Sequence, residues 1–351
     1  VLAMAAPAIN GADAQQVTEA LGMPASDAFE IARRLLDDPY PEVSAAAAAW
    51  TSTPPEQLPE GAAAWLAQLS PSVDRGPIPS QDEADTWARE HTLGLIEQFP
   101  IQLHPAMACV LASALATRVS WREPFTAVSS DGFRSDWRTR VSTILRSPSD
   151  HQCAIIHHHS AGDVAVHRAI ADNLVVTSVI AAEGVPAGTV LDAAYDVECH
   201  ATDHSSRSLF SLPIGDGHAW TITESPGWER DESLTALLPA WSANSTHDLS
   251  DPRLGFAPAA HALVELFGAA NDWTAVQSAV ARYHRVGFEA AAVTGMDAGG
   301  YPRPGLQRNA LLRFDRPYAV VATTWDHVRR GGWHVLPVFS AWITEPEEVT
   351  D

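Results

Sequence analysis

The chain has 351 residues, 46% of them hydrophobic, with 22 Lys and Arg against 43 Asp and Glu and a formal net charge of −21 at pH 7. That balance excludes non-specific binding to nucleic acid or to an anionic membrane, because both need a basic surface. No run of about 18 apolar residues marks a membrane span, and Cys109, Cys153 and Cys199, with no C-x-x-C spacing, indicate neither a disulfide framework nor a zinc ribbon.

In chain order, the opening V-L-A-M-A-A-P-A-I-N lacks a basic n-region and reads as the inside of a helix. It leaves the compartment, secreted or cytoplasmic, open. Residues 1–36 are predicted helical, with Val17, Leu21, Phe29, Leu35 and Leu36 at helical spacing and Gly22 and Pro24 as breaks. Val43–Trp50 reads equally as a buried strand or a helix. Gly61–Leu69 is a short helix, and Pro71–Ser80 a Pro-rich connection. Asp82–Phe99 is predicted as one amphipathic helix, with Trp87, His91, Leu95 and Ile96 on its apolar stripe. Met107–Val119 is a central strand. Ala154–His159, Asp163–Ala169, Leu174–Ile180 and Trp220–Thr223 are further strands. Ser233–Leu238 and Ala259–Phe267 are predicted helices, the second with Pro258 at its start. Gly299–Gly305 is irregular, and Tyr318–Thr323 and Trp333–Ile343 close the chain as strands. Helices first and strands later indicate one large α+β domain, residues 1–351, with mostly antiparallel sheets.

Gly287–Ala298 (G-F-E-A-A-A-V-T-G-M-D-A) stands apart. Its even positions, Phe288, Ala290, Ala292, Thr294, Met296 and Ala298, are apolar or small, while Glu289 and Asp297 fall on the other face. Three alanines and a glycine make it a poor strand by propensity. A segment patterned as a strand but reluctant to be one suits a loop that becomes a strand later.

Four spaced segments resemble the serpin family. Gly11, Ala14, Gln16, Leu21 and Gly22 fit its early helix. Trp87, Thr92, Gly94 and Ile96 fit W-V-x-x-x-T-x-G-x-I, with Ala88 departing. Leu111–Phe125 ends W-x-x-P-F, with Ser113 in place of the family asparagine. The hinge G-x-E-A-A-A-x-T is followed by Phe314-Asp315-Arg316-Pro317-Tyr318, similar to F-x-R-P-F. Phe339–Pro346 ends the chain with Ala341 and Trp342 in place of glycine and arginine. The resemblance is to a divergent, bacterial-type member without the first helix and strand. It implies a serpin-like α+β domain of three mostly antiparallel sheets, about eight to nine helices and an exposed reactive-centre loop at about 287–313. In such proteins a serine protease cleaves the loop, which inserts into the main sheet and traps the enzyme.

By that resemblance Gly287, Phe288, Glu289, Ala290, Ala291, Ala292 and Thr294 form the hinge, and Trp121 lines the entry region. Residues 288–299 contain no proline, so every backbone donor is available to a ladder. Phe288 stands where the family prefers a small residue, and its entry costs about 1–3 kcal/mol in overpacking. Arg285 stands where glutamate is usual. Counting from Gly287 puts the scissile bond at Tyr301–Pro302. Counting from Phe314 puts it at Leu306–Gln307, the favoured choice, which suits an elastase- or subtilisin-like protease. Arg308–Asn309 would suit a trypsin-like one. No cofactor or metal is called for. The alternatives are a non-inhibitory binding protein on the same fold, or a scaffold recruited to bind or transform a small molecule.

His157-His158-His159 and the pair His200 and His204 are read as ordinary polar positions rather than metal ligands. No G-x-S-x-G elbow, Walker loop or G-x-G-x-x-G occurs, so no enzyme class is indicated. Trp325, Trp333 and Trp342 are expected in the core or an interface.

Overall fold

A computed structural model describes residues 1–117, 120–171, 173–199, 205–227, 230–268, 273–287, 305–325 and 333–349. The elements run α1 (Leu2–Ala5), α2 (Ala12–Leu21), α3 (Ala25–Asp37), β1 (Val43–Thr51), α4 (Glu60–Gln68), β2 (Val73–Pro77), α5 (Gln81–His91) and β3 (Cys109–Thr117). There follow β4 (Thr126–Ser129), α6 (Trp137–Arg140), β5 (Thr143–Arg146), β6 (Gln152–His158), β7 (Gly162–Ile170), β8 (Leu174–Ile180) and α7 (Ala187–Cys199). The chain ends with β9 (Gly215–Asp216), β10 (Trp220–Gly227), β11 (Asp231–Leu238), β12 (Trp241–Asp248), α8 (Phe256–Phe267), β13 (Val276–Tyr283), β14 (Gly305–Arg313), β15 (Tyr318–Thr324) and β16 (Pro337–Ile343). Two compact units emerge, Val1–Arg118 with Asn244–Ala281, and Val119–Ala243 with Arg282–Asp351.

In the first unit β1 is a strand, central between β2, parallel to it, and β3, antiparallel. Its alternation settles what periodicity left open. Ala48 and Trp50 join Val110 and Ala112 of β3 on the face packed with Ala84 and Ala88 of α5. Ala47 and Ala49 face Met4, Trp65 and Leu69. β2 lies inside the segment expected to be a connection. It is short, and Pro77 at its end has no N–H to give, which suits an edge.

Helix α5 begins in a capping box, with Glu83 and Ser80 each bonded to the other's backbone N–H. The backbone N–H and then the hydroxyl of Ser80 hold the Glu83 carboxyl below the usual range. Ser80→Ala removes one half of the box, and exchange of the first-turn amides of α5 should quicken roughly fivefold by hydrogen-exchange NMR.

The helix stops at His91 rather than continuing to Phe99. Thr92 Oγ1 donates to the Ala88 carbonyl at 2.7 Å and accepts the Ile96 N–H at 3.0 Å, while Leu93 and Gly94 turn left-handed at φ 56° and 77°. Of the expected stripe, Trp87 and Ile96 pack on the Trp50 core. The stripe therefore placed these two residues rightly and the helix end wrongly.

β3 pairs only with β1, and β12 pairs only with β13. Among the described residues no ladder joins β3 to β13.

The second unit holds a six-stranded sheet, β4-β5-β11-β14-β10-β9, and a five-stranded antiparallel sheet, β16-β15-β8-β7-β6. Residues 233–238, expected as a helix, belong to strand β11, parallel to β14 and antiparallel to β5. Its Leu- and Ala-rich composition favours a helix locally, but ladders on both sides and burial of Ala236, Leu237 and Leu238 override that preference. Helix α7 lays Val190, Ala193, Ala194 and Val197 on Val164, Val166, Val179 and Val321 of the five-stranded sheet. Beneath its last turn the buried Glu198 accepts from Arg168 Nε at 3.0 Å, Thr177 Oγ1 at 2.6 Å and Thr323 Oγ1 at 3.0 Å.

Candidate functional site

The chain leaving β13 is held by the segment Ser120–Phe125. Trp121 donates from Nε1 to the His284 carbonyl at 2.8 Å and from its backbone N–H to the Val286 carbonyl at 3.4 Å. The Phe125 N–H donates to the Arg285 carbonyl at 2.9 Å. Gly287 pairs antiparallel with Ser120. Its φ of 73° lies where a side chain would be strained, which is why a glycine stands there. Trp121 and Gly287, which the resemblance assigns to the entry region and the hinge, lie in one place. Phe288, Glu289, Ala290, Ala291, Ala292, Thr294 and Tyr301 lie outside the described residues.

Trp121→Phe keeps an aromatic ring but removes the Nε1 donor together with part of the buried indole. The His284 carbonyl then loses its partner, and exchange of the His284–Gly287 amides should rise roughly fivefold by hydrogen-exchange mass spectrometry.

An aromatic cluster backs the hinge. Trp121 packs on Tyr283 with ring centroids 5.1 Å apart, and Phe125 lies 5.5 Å from Tyr283. Tyr283 stacks on Trp241 at 5.4 Å and 8°. Composition showed many tryptophans; only the fold shows that Trp121 and Trp241 share one site. Behind Phe125 two buried imidazoles bond to each other, His151 Nδ1 and His167 Nε2 at 3.1 Å, and His151 Nε2 lies 3.0 Å from the Glu123 carbonyl. That carbonyl accepts only, so His151 carries its proton on Nε2, and its bare Nδ1 takes the Nε2–H of His167. Both rings are therefore neutral. Burial pushes His151 down to about 4, and burial together with His151 holds His167 well below its ordinary value. Nothing in the sequence paired these two residues; the β6–β7 register and the turn before β6 do so.

Leu306 and Arg308 occupy β14 rather than an exposed loop. The Leu306 side chain is 48% exposed, but its backbone pairs with Pro226. Arg308 pairs with Glu224 on one side and Glu232 on the other. Its guanidinium is bonded to Glu224 and to the carbonyls of Leu209 and Leu212. A protease holds its substrate as an extended strand in its own cleft, and a segment already in a ladder is not presented that way. Of the expected loop 287–313, residues 305–313 are strand.

The three histidines separate. His157 meets Asp163 at 2.8 Å. His158, His159 and Asp196 bring ligand atoms within 4.8 Å of one another. This juxtaposition was not foreseen, since β6 ends at His158 and the turn carries His159 to the same side. It makes a poor metal centre. His158 Nδ1 faces the N–H groups of Ser160 and Ala161 at 3.3 and 3.2 Å, and Nε2 faces Asp196 at 3.2 Å. The proton therefore sits on Nε2, and a metal there would force a second proton against two N–H donors or require an imidazolate. His200 and His204 lie outside the described residues. A cavity of about 210 Å³ lies between Glu183, Val185, Val190, Arg316 and Trp342. Arg316 is already committed there to the carbonyls of Ala181 and His218.

The arrangement matches known structures. Human thyroxine-binding globulin complexed with thyroxine is similar over 98% of this chain and 89% of its own, at 15% identity and a TM-score of 0.59. Tengpin, a thermophilic serpin in its native state, is similar over 98% and 85%, at 12% identity and a TM-score of 0.63. Human glycosylated kallistatin is similar over 98% and 88%, at 15% identity and a TM-score of 0.60. The chain has the serpin fold. No protein-family model matches the sequence, and no curated protein sequence matches it.

Proposed function

We propose that the chain is a serpin-type inhibitor of a serine protease, with Phe288–Ala298 as the inserting strand of a single serpin-like domain. One observation carries this reading. Among the described residues β3 and β13 are not joined by a ladder, and at Gly287 the chain already runs antiparallel to Ser120. A strand entering beside β3 needs that direction. Hinge residues Gly287, Glu289, Ala290, Ala291, Ala292 and Thr294 supply small inward positions and outward charge. Phe288 is the residue that resists, because a ring entering a packed core costs about 1–3 kcal/mol.

The bait moves upstream. With Leu306 and Arg308 in β14, the scissile bond belongs before Gly305, where Tyr301–Pro302 also lies. The argument for an elastase- or subtilisin-like target rested on Leu306 and falls with it. The test is incubation with a panel of serine proteases of differing specificity, followed by denaturing electrophoresis. A covalent adduct, with the new amino terminus mapped between residues 289 and 305, supports the trap. Cleavage in that interval by every protease without an adduct overturns it and leaves a non-inhibitory protein on this fold. Thyroxine-binding globulin takes a small ligand, but the cavity beside Trp342 is below the roughly 300–1,000 Å³ usual for ligand pockets, and its arginine is engaged by backbone carbonyls.

A further inference from the structure

The histidine pair behind the hinge has no part in loop insertion as such, yet it supports the segment that holds the loop. The connection runs in three hydrogen bonds. His167 Nε2–H donates to His151 Nδ1, His151 Nε2–H donates to the Glu123 carbonyl, and two residues on the Phe125 N–H donates to the Arg285 carbonyl. Phe125 also packs edge-on against His151 at 4.7 Å and lies 5.6 Å from His167. The imidazoles thus fix both the backbone and the ring through which the residues ahead of the loop are gripped.

We propose that the His151–His167 pair is an acid-sensitive lock on the hinge, so that uptake of a proton loosens the hold of Ser120–Phe125 on His284–Gly287. The geometry leaves a proton no good place. His167 Nδ1 is the nitrogen of the pair with neither a proton nor a donor to accept from, and it is buried with no hydrogen-bond partner among the described residues. Protonating His151 at Nδ1 instead forces His167 to move its own proton onto that same orphaned atom. Either way a positive charge enters a site walled by Phe125, Tyr283 and Phe314, and a buried charge without a counter-ion is expelled by opening.

The titratable surroundings do not offset this. Asp150 lies beside His151 and favours its charged form, but burial outweighs it. Cys153 faces His167 in the β6–β7 register, and its thiol is pushed up to about 12 by burial. Tyr283, against Phe125, is likewise held neutral by burial. Arg122, Glu123 and His284 lie on the two held segments, and Asp315 follows Phe314 with its carboxylate turned to the N–H groups of Arg134 and Ser135.

The size of the effect follows from linkage. In the open hinge a histidine regains its ordinary value of about 6.5, whereas closed it resists protonation, so acid favours opening. For one histidine the opening equilibrium rises roughly 25-fold between pH 7 and pH 5. This holds whether or not the loop traps a protease.

The test is hydrogen-exchange mass spectrometry on the full chain from pH 7 to 5, corrected for intrinsic exchange, with β10 and β14 peptides as reference. Peptides covering 120–125 and 283–287 should lose protection about 25-fold while the reference changes little. His151→Gln keeps a donor for the Glu123 carbonyl and an acceptor for His167 but cannot take the proton, and His167→Gln keeps an N–H for His151. Either single variant leaves one histidine to titrate, so the pH dependence should flatten only when both are replaced together. A flat wild-type profile, or the same acid response in a folded double Gln variant, overturns the proposal. If the double variant does not fold, the wild type decides: equal acid loss in hinge and reference peptides is general destabilisation and overturns it, whereas loss confined to the hinge supports it.

Discussion

Cutting the chain between residues 288 and 304 with a broad protease should raise its melting temperature by about 10 °C or more. The expectation rests on β3, whose second edge has no ladder partner among the described residues, and on β13, which pairs only with β12. A severed arm beginning at Phe288 is free to fill that space. About ten new ladder bonds along each of two edges, at roughly 0.5–1.5 kcal/mol each, with burial of the alanines and Met296, oppose an ordering cost of about 1–2 kcal/mol per residue. For a chain of this length each kcal/mol moves the melting temperature by about 1–2 °C. A rise of this size therefore requires both ladder edges to be satisfied and the inward side chains to pack. Calorimetry of intact and nicked protein reads it directly. An unchanged melting temperature would mean that the arm stays out, with Phe288 the first residue to replace by threonine. That result would remove loop insertion from the proposal while leaving the hinge geometry intact.

Glu198→Ala should destabilise the protein by about 3–5 kcal/mol, measured by urea unfolding at neutral pH. Glu198 is 3% exposed and accepts from Arg168, Thr177 and Thr323, so it ties α7 to β7, β8 and β15. Its removal takes the carboxylate from Arg168, which keeps the Val197 carbonyl, and leaves two buried hydroxyls without their acceptor. Combining Glu198→Met with Arg168→Met takes both charges away together, and the double variant should recover most of the loss. If the single variant costs less than about 1 kcal/mol, water already serves these donors and the tie is not structural.

The pattern from which a hinge is proposed was legible in the sequence because it is written in local chemistry. Gly287 supplies a left-handed φ, the alternation from Phe288 to Ala298 supplies two faces, and W-x-x-P-F supplies the holding segment. The histidine relay was not legible. His151 lies in a turn and His167 in β7, sixteen residues apart, and no spacing rule brings a turn residue onto the neighbouring strand's inner face. The position of the bait was misread for a related reason. Leu306 was located by counting along the chain, but whether a bond is exposed depends on which strands flank it, and β10 and β11 flank β14.

By itself the sequence determined the α+β class, the β6–β8 strands, α8 and the two final strands, all of which rest on patterns with a period of two or 3.6 residues and on glycine or proline chemistry. Only the tertiary structure decided that β1 and β11 are strands and that, among the described residues, β3 and β13 are unjoined. These depend on hydrogen-bond partners tens to hundreds of residues away, and a backbone group's partner, unlike its propensity, is not a property of the residues around it. The stop of α5 at His91 is local instead, set by Thr92 and the left-handed Leu93–Gly94 turn, which an apolar stripe does not reveal.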